Sequence, residues 1–326
     1  HLAQTGVAQM NALDAARRAV TEDPEDLASW DALRVAAHLA GDAKRHTRAC
    51  EVLADAAPPR WSSALLEEAG VSYADLLGDF GAAEATFLRA LRTDGRSPVA
   101  LQRLLALYRS EGRDDARIEL LADWVSRARD DDPELPHALY ELAGLLRVAD
   151  RLEEASVHVE RLTSIASEDP AALALGAEIH VARGRWEDAV RFMRRLAVAK
   201  VPASQQRIAR LAAADFLEKK LDRPEAALAE LEELLAAGLA DAKTIERMAK
   251  IDLRLGRVED AARAYEHAGR RLTGPEAARL LVLAGRLRAK ELRQPAEAEA
   301  LYRRALQLHP LALDAVVGSM ELTADF

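Results

Sequence analysis

One cysteine, Cys50, stands in 326 residues, so no internal disulfide framework exists, and the compartment stays open between cytoplasm and periplasm. Aromatics make up only 4%, too few for the stacking platform that single-strand nucleic-acid binders use. Neither charge dominates. The 45 basic and 54 acidic residues are interleaved, and their balance of −9 leaves no electrostatic footprint for nucleic acid. No apolar run reaches the roughly 18–20 residues that would cross a bilayer, which points to a soluble chain without a membrane-spanning segment. Alternating β-branched runs that would make strands are missing too. So are the HExxH, CxxC, GxxxxGK[ST] and GxSxG motifs, and with them the usual signs of a metal, a cofactor or a catalytic nucleophile. The chain opens on "HLAQTG" without an initiator methionine, which leaves any address label open.

What is present is helix-forming. Half the residues are hydrophobic, mostly Ala and Leu, 30% are charged, and glycine (16) and proline (12) are sparse. Such side chains lose little rotamer freedom in a helix, so the fold class is all-α. A phrase also recurs: "GRVEDAARAYEHA" at 256–268, "GRWEDAVRFMRRL" at 184–196 and, more loosely, "GDFGAAEATFLRA" at 78–90. Aligned on its opening residue, it has anchors at Gly41, Gly78, Gly112, Asp150, Gly184, Asp222, Gly256 and Arg293. The intervals are 37, 34, 38, 34, 38, 34 and 37 residues, the period of a helical solenoid, alternately short and long. Five positions after the anchor comes a small residue (Ala83, Ala155, Ala189, Ala227, Ala261, Ala298). Nine positions after it comes a larger one (Phe87, Val159, Met193, Leu231, Tyr265, Tyr302).

Each unit therefore reads as two antiparallel helices, A before the anchor and B after it. In "SPVALQRLLALYRSEG" (97–112), Leu101, Leu104, Leu105 and Tyr108 fall at helical spacing. The anchor turns the chain, because Gly takes φ > 0 freely and Asp bonds its own backbone. Asp23, Asp132 and Asp169, each followed by proline, carry the N-cap and N1 signature of a helix start.

On these residues the chain resembles the tetratricopeptide (TPR) repeat family. Trp30 opens a helix A before Gly41, Tyr108 precedes Gly112, and Gly256, Ala261, Tyr265 and Ala268 step through turn, small, large and small before Pro275. The alternating lengths resemble large bacterial TPR proteins built from paired repeats. Departures occur where His46 and Cys50 replace Ala and an aromatic, and where Arg293 replaces Gly. The resemblance implies a right-handed superhelix over residues 1–326, with partial repeats at 1–23 and 311–326 and a slice of a longer array as the expectation. Uncapped ends of that kind would allow self-association.

Among candidate sites, His46 and Cys50 have the i,i+4 spacing of a metal clip. No second pair completes it, so core packing is the reading adopted. Glu153-Glu154, Glu232-Glu233 and Asp130-Asp131-Asp132 are neighbours that diverge on a helix, not a convergent acid pair. The Arg-Arg pairs at 17–18, 194–195, 270–271 and 303–304 read as cations over helix B and its dipole. In TPR proteins the A helices line the concave groove. The resemblance therefore implies partner contacts at Gln102, Arg109, Tyr140, Lys219, Lys220, Glu246, Lys250 and Arg254. The row 246, 250, 254 reads equally well as an i,i+4 ion-pair ladder. The chaperone-tail carboxylate clamp is excluded, since the single asparagine, Asn11, is on a helix B. The expected function is a non-catalytic scaffold that holds a partner protein or peptide. The alternatives are an arm of an enzyme whose catalytic domain lies outside this chain, and a sensor of a peptide or small molecule.

Overall fold

The computed structural model describes residues 2–95 and 97–324, with side chains over 8–95 and 97–322. The described residues are all-α. The helices are α1 (Leu2–Glu22), α2 (Leu27–Leu39), α3 (Ala43–Ala56), α4 (Pro59–Ser72), α5 (Phe80–Thr93), α6 (Pro98–Ser110), α7 (Asp114–Arg127), α8 (Leu135–Val148) and α9 (Leu152–Ile165). They continue as α10 (Pro170–Ala182), α11 (Trp186–Val198), α12 (Ala203–Lys219), α13 (Pro224–Ala236), α14 (Ala242–Arg254), α15 (Val258–Arg271), α16 (Gly274–Lys290), α17 (Pro295–Leu308) and α18 (Leu313–Ala324). The chain divides into two compact units, His1–His158 and Val159–Phe326. Successive helices pack on one another from α1 to α8 in the first unit and from α10 to α18 in the second. Even-numbered helices are the A helices and odd-numbered ones the B helices.

All eight anchor residues have positive φ, from 51° at Asp222 to 73° at Gly41 and Gly256. That conformation lets the chain close the A helix and reverse. At Gly41, for example, the Asp42 N–H donates to the Ala37 carbonyl at 2.9 Å, and Arg257 reaches Asp252 in the same way at 2.8 Å. The closure reaches one residue further back after Gly78, Asp222 and Arg293: Asp79 to Tyr73, Arg223 to Leu217 and Gln294 to Arg288. The A helices there are the long ones. α12 and α16 have 17 residues each, and α4 runs on into a π-helical turn, Tyr73–Leu77. At these three positions the longer repeat interval is taken up in helix A.

Two of the three Asp-Pro starts differ from expectation. Asp169 does cap α10, accepting from the Ala171 N–H at 3.1 Å with Pro170 at the first turn. Asp23 and Asp132 instead close turns one step earlier, each accepting from the residue two ahead (Glu25 and Glu134). The helices then begin at Leu27 and Leu135, behind Asp26 and Glu134. Each Asp-Pro pair lies inside a turn, closed by Asp26 N–H to the Asp23 carbonyl and by Leu135 N–H to the Asp132 carbonyl, so the aspartate side chain is spent on the turn and not on the helix cap.

Between A and B, the small residues Ala83, Ala155, Ala189, Ala227, Ala261 and Ala298 are all 0% exposed. Of the larger set, Phe87, Val159, Leu231, Tyr265 and Tyr302 are buried. In α11 the buried ring belongs to Phe192, while Met193 is only half-buried, one position from the expected place. Gly176 on α10 makes room for that ring: a Cβ there would lie 2.3 Å from it, so glycine opens the slot that the ring fills. Gly70 does the same for Phe87, and Gly285 for Tyr302.

Candidate functional site

Packed A and B helices leave the outward faces of the A helices for other work, and the sequence covers those faces with charge. Arginine recurs there about once per repeat, and it reaches the neighbouring A helix. In the first unit Arg34 holds Glu68 at 3.0 Å, Arg109 holds Glu141 at 2.8 Å, and Arg103 meets Asp75 at 3.3 Å. In the second, Arg207 pairs with Asp241, Arg254 with Glu218 and Arg279 with Glu246. Arg247 binds Asp215 at 2.5 Å and Glu218 at 2.8 Å, and Arg286 binds Asp314 at 2.6 Å. A planar fork suits this bridging better than an ammonium would. Most of these pairs are wet, so each adds at most about 1 kcal/mol, and their main effect is to set adjacent A helices in register.

On α14 the expected row Glu246, Lys250 and Arg254 lines one cleft of about 590 Å³ with Glu218, Lys243, Arg247 and Leu253. The row is not an internal ladder: Glu246 is taken by Arg279 and Arg254 by Glu218, each on another helix. Burial alone would raise the Glu218 carboxyl, but hydrogen bonds from Arg247 and Arg254 hold it below the usual carboxylate range. Both acids of the cleft are thus already matched. Lys243 and Lys250 are exposed, and among the described residues neither has an ion-pair partner. Lys243, Arg247 and Leu253 were missed in the sequence. The signal was there, since positions three, four and seven apart on one helix share a face.

The other expected residues are dispersed. Gln102 and Arg109 line a cleft of about 210 Å³ with His137 and Glu141, while Tyr140, 40% exposed, stands outside that lining. Lys219 pairs with Asp215 on its own helix at 2.9 Å. Lys220 lies 5.0 Å above the Trp186 ring, toward helix B. Between α2 and α4 another groove, of about 560 Å³, is walled by Leu27, Arg34, Leu65 and Glu68 and carries Trp61, which is 70% exposed. The neighbouring carboxylates of the sequence diverge: Glu154 turns to Arg151 and Glu233 to Arg210. Of the arginine pairs, Arg194 binds the buried Glu230 at 2.6 Å, and Arg195 donates to the Thr163 and Ser167 carbonyls.

No family model matches the sequence, and no curated protein matches it either. Solved structures do. A tetratricopeptide repeat protein from Parabacteroides merdae is 18% identical over 80% of this chain and 98% of its own, with a TM-score of 0.37. The C-terminal part of a TPR repeat-containing protein from Cytophaga hutchinsonii is 12% identical over 95% and 94%, at 0.38. YrrB, described as a TPR protein with an unusual peptide-binding site, is 16% identical over 62% and 99%, at 0.34. The chain itself is, over the described residues, an all-α array of successive antiparallel helices. At these scores the likeness carries no argument about a site, which rests on the geometry of the array itself. No helix among the described residues of the array is long and apolar enough to cross a membrane.

Proposed function

We propose that the array is a non-catalytic protein-interaction scaffold, and that the α14 face captures an acidic, extended segment of a partner protein. One observation carries this reading: Lys243 and Lys250 project from one face of α14 into a cleft whose own acids are already neutralised. Seven residues of helix separate the two ammonium-bearing positions by about 10 Å. In an extended peptide of polyproline-II form, with three residues per turn, carboxylates three residues apart share one face about 9 Å apart. Leu253, partly exposed on the same wall one turn beyond Lys250, offers an apolar contact beside them. The net charge of −9 disfavours a polyanion as long as a nucleic acid, whose phosphates would meet repulsion beyond the cleft.

The test uses the full chain and a fluorescein-labelled peptide with repeated Glu-Leu-Ser-Glu units, followed by anisotropy. Binding should weaken with added salt. It should fall at least tenfold in a Lys243→Glu, Lys250→Glu variant whose circular dichroism is unchanged. Equal binding by the variant, or equal displacement by an RNA oligonucleotide of the same charge, would sink the reading.

A further inference from the structure

The helix pair α2–α3 and the following α4 bring together four side chains that sequence reasoning left apart. His46 on α3 is 1% exposed and Cys50, one turn on, is 0% exposed. The Cys50 sulfur lies 3.7 Å from His46 Nε2. Glu68 of α4 places Oε1 3.2 Å from the same nitrogen. His38, exposed near the end of α2, has a ligand atom within 4.8 Å of those of His46 and Glu68. In the sequence only His46 and Cys50 stand out as a pair. His38 and Glu68 come from two other helices, and only packing delivers them.

From this geometry we infer a binding site for a divalent zinc-class ion, with His46 Nε2, Glu68 Oε1 and a His38 ring nitrogen as its protein ligands, the fourth position being left to solvent. The donor set is one that zinc accepts, two imidazoles and a carboxylate. Cys50 packs against His46 and is not a member of the group. Usual zinc bond lengths at tetrahedral angles put a nitrogen and an oxygen ligand about 3.4 Å apart, and Nε2 and Oε1 are 3.2 Å apart.

The ring orientation is also set from behind. His46 Nδ1 lies 3.1 Å from the Arg34 carbonyl oxygen. A carbonyl only accepts, so Nδ1 carries the hydrogen and Nε2 is the nitrogen turned to the other three groups. This is the backing that metal-binding histidines characteristically have. Arg34 contacts both Glu68 oxygens at 3.0 Å, and it keeps Oε2 when Oε1 turns to the ion. The ion would tie three successive helices together at the base of the α2–α4 groove, whose wall includes Arg34 and Glu68.

Cobalt(II) titrated into the chelator-stripped, reduced full chain at mildly alkaline pH is the test. One equivalent should produce the strong visible bands of four-coordinate cobalt, removed by zinc. His38→Ala, at an exposed position where folding is not in question, should weaken zinc at least tenfold against a chromophoric chelator. Octahedral cobalt spectra would overturn the assignment. So would zinc affinity unaffected by His38→Ala.

Discussion

Replacing Gly176 with alanine should destabilise the chain, although alanine is the better helix former. Alanine in a helix interior is favoured over glycine by roughly 0.5–1 kcal/mol. Against that, a Cβ at 176 would sit 2.3, 2.5 and 2.8 Å from three carbons of the Phe192 ring. Carbon contacts settle near about 3.5–4.0 Å, so ring or helix must yield by about 1 Å. The ring has little room to move: it is 0% exposed, its centroid is 5.2 Å from that of His180, and the Arg191 and Arg195 guanidinium groups lie over it. Overpacking of this kind costs roughly 1–3 kcal/mol, which leaves a net loss of up to about 2.5 kcal/mol, centred near about 1 kcal/mol. Gly144 on α8 is the control, because nothing lies within 4 Å of its added Cβ. Gly144→Ala should therefore gain about 0.5–1 kcal/mol from the same chemical change. Urea unfolding followed by circular dichroism would compare the midpoints of both variants with the parent chain. A Gly176→Ala, Phe192→Leu double variant should be less destabilised than the two single losses added together. If Gly176→Ala raises the midpoint as Gly144→Ala does, the proposed contact between glycine and ring is wrong.

Arg293 holds φ at 54° without being glycine, a conformation that costs an L-residue roughly 1–2 kcal/mol. After the extra freedom of glycine in the unfolded chain is subtracted, Arg293→Gly should stabilise by about 0.5–1 kcal/mol, seen as a higher Tm. A lower Tm would show that the arginine side chain contributes more than its backbone strain costs. Asp252 on α14 is 4% exposed, and its Oδ1 has no hydrogen-bond partner. Burial, then Asp260, raise its carboxyl to about 6, with Glu232 adding and Arg257 opposing. A carboxyl with a folded pKa above its unfolded value near 3.8 favours the folded state when protonated. Its contribution is greatest below pH about 4, falls as pH rises to about 6, and is flat beyond. Asp252→Asn should therefore stabilise by about 2–3 kcal/mol at neutral pH and by little at pH about 3.5. A difference independent of pH would refute this account.

The all-α class and the repeating helix pair were legible in the sequence because both depend on near neighbours. Ala- and Leu-rich segments favour helix wherever they stand, and a helix that reverses sharply needs a residue that accepts positive φ. The candidate site was half legible: residues 246, 250 and 254 share a face by helical periodicity alone. Which cations on that face are left uncommitted depended on Arg279 and Glu218, which reach α14 from α16 and α12. Tertiary structure alone also put Phe192 rather than Met193 in the core, displaced Asp23 and Asp132 from their expected caps, and gathered His38 and Glu68 around His46. Side-chain periodicity tells which way a residue faces on its own helix. What it meets there depends on the helix packed opposite, whose distance in sequence carries no local signal.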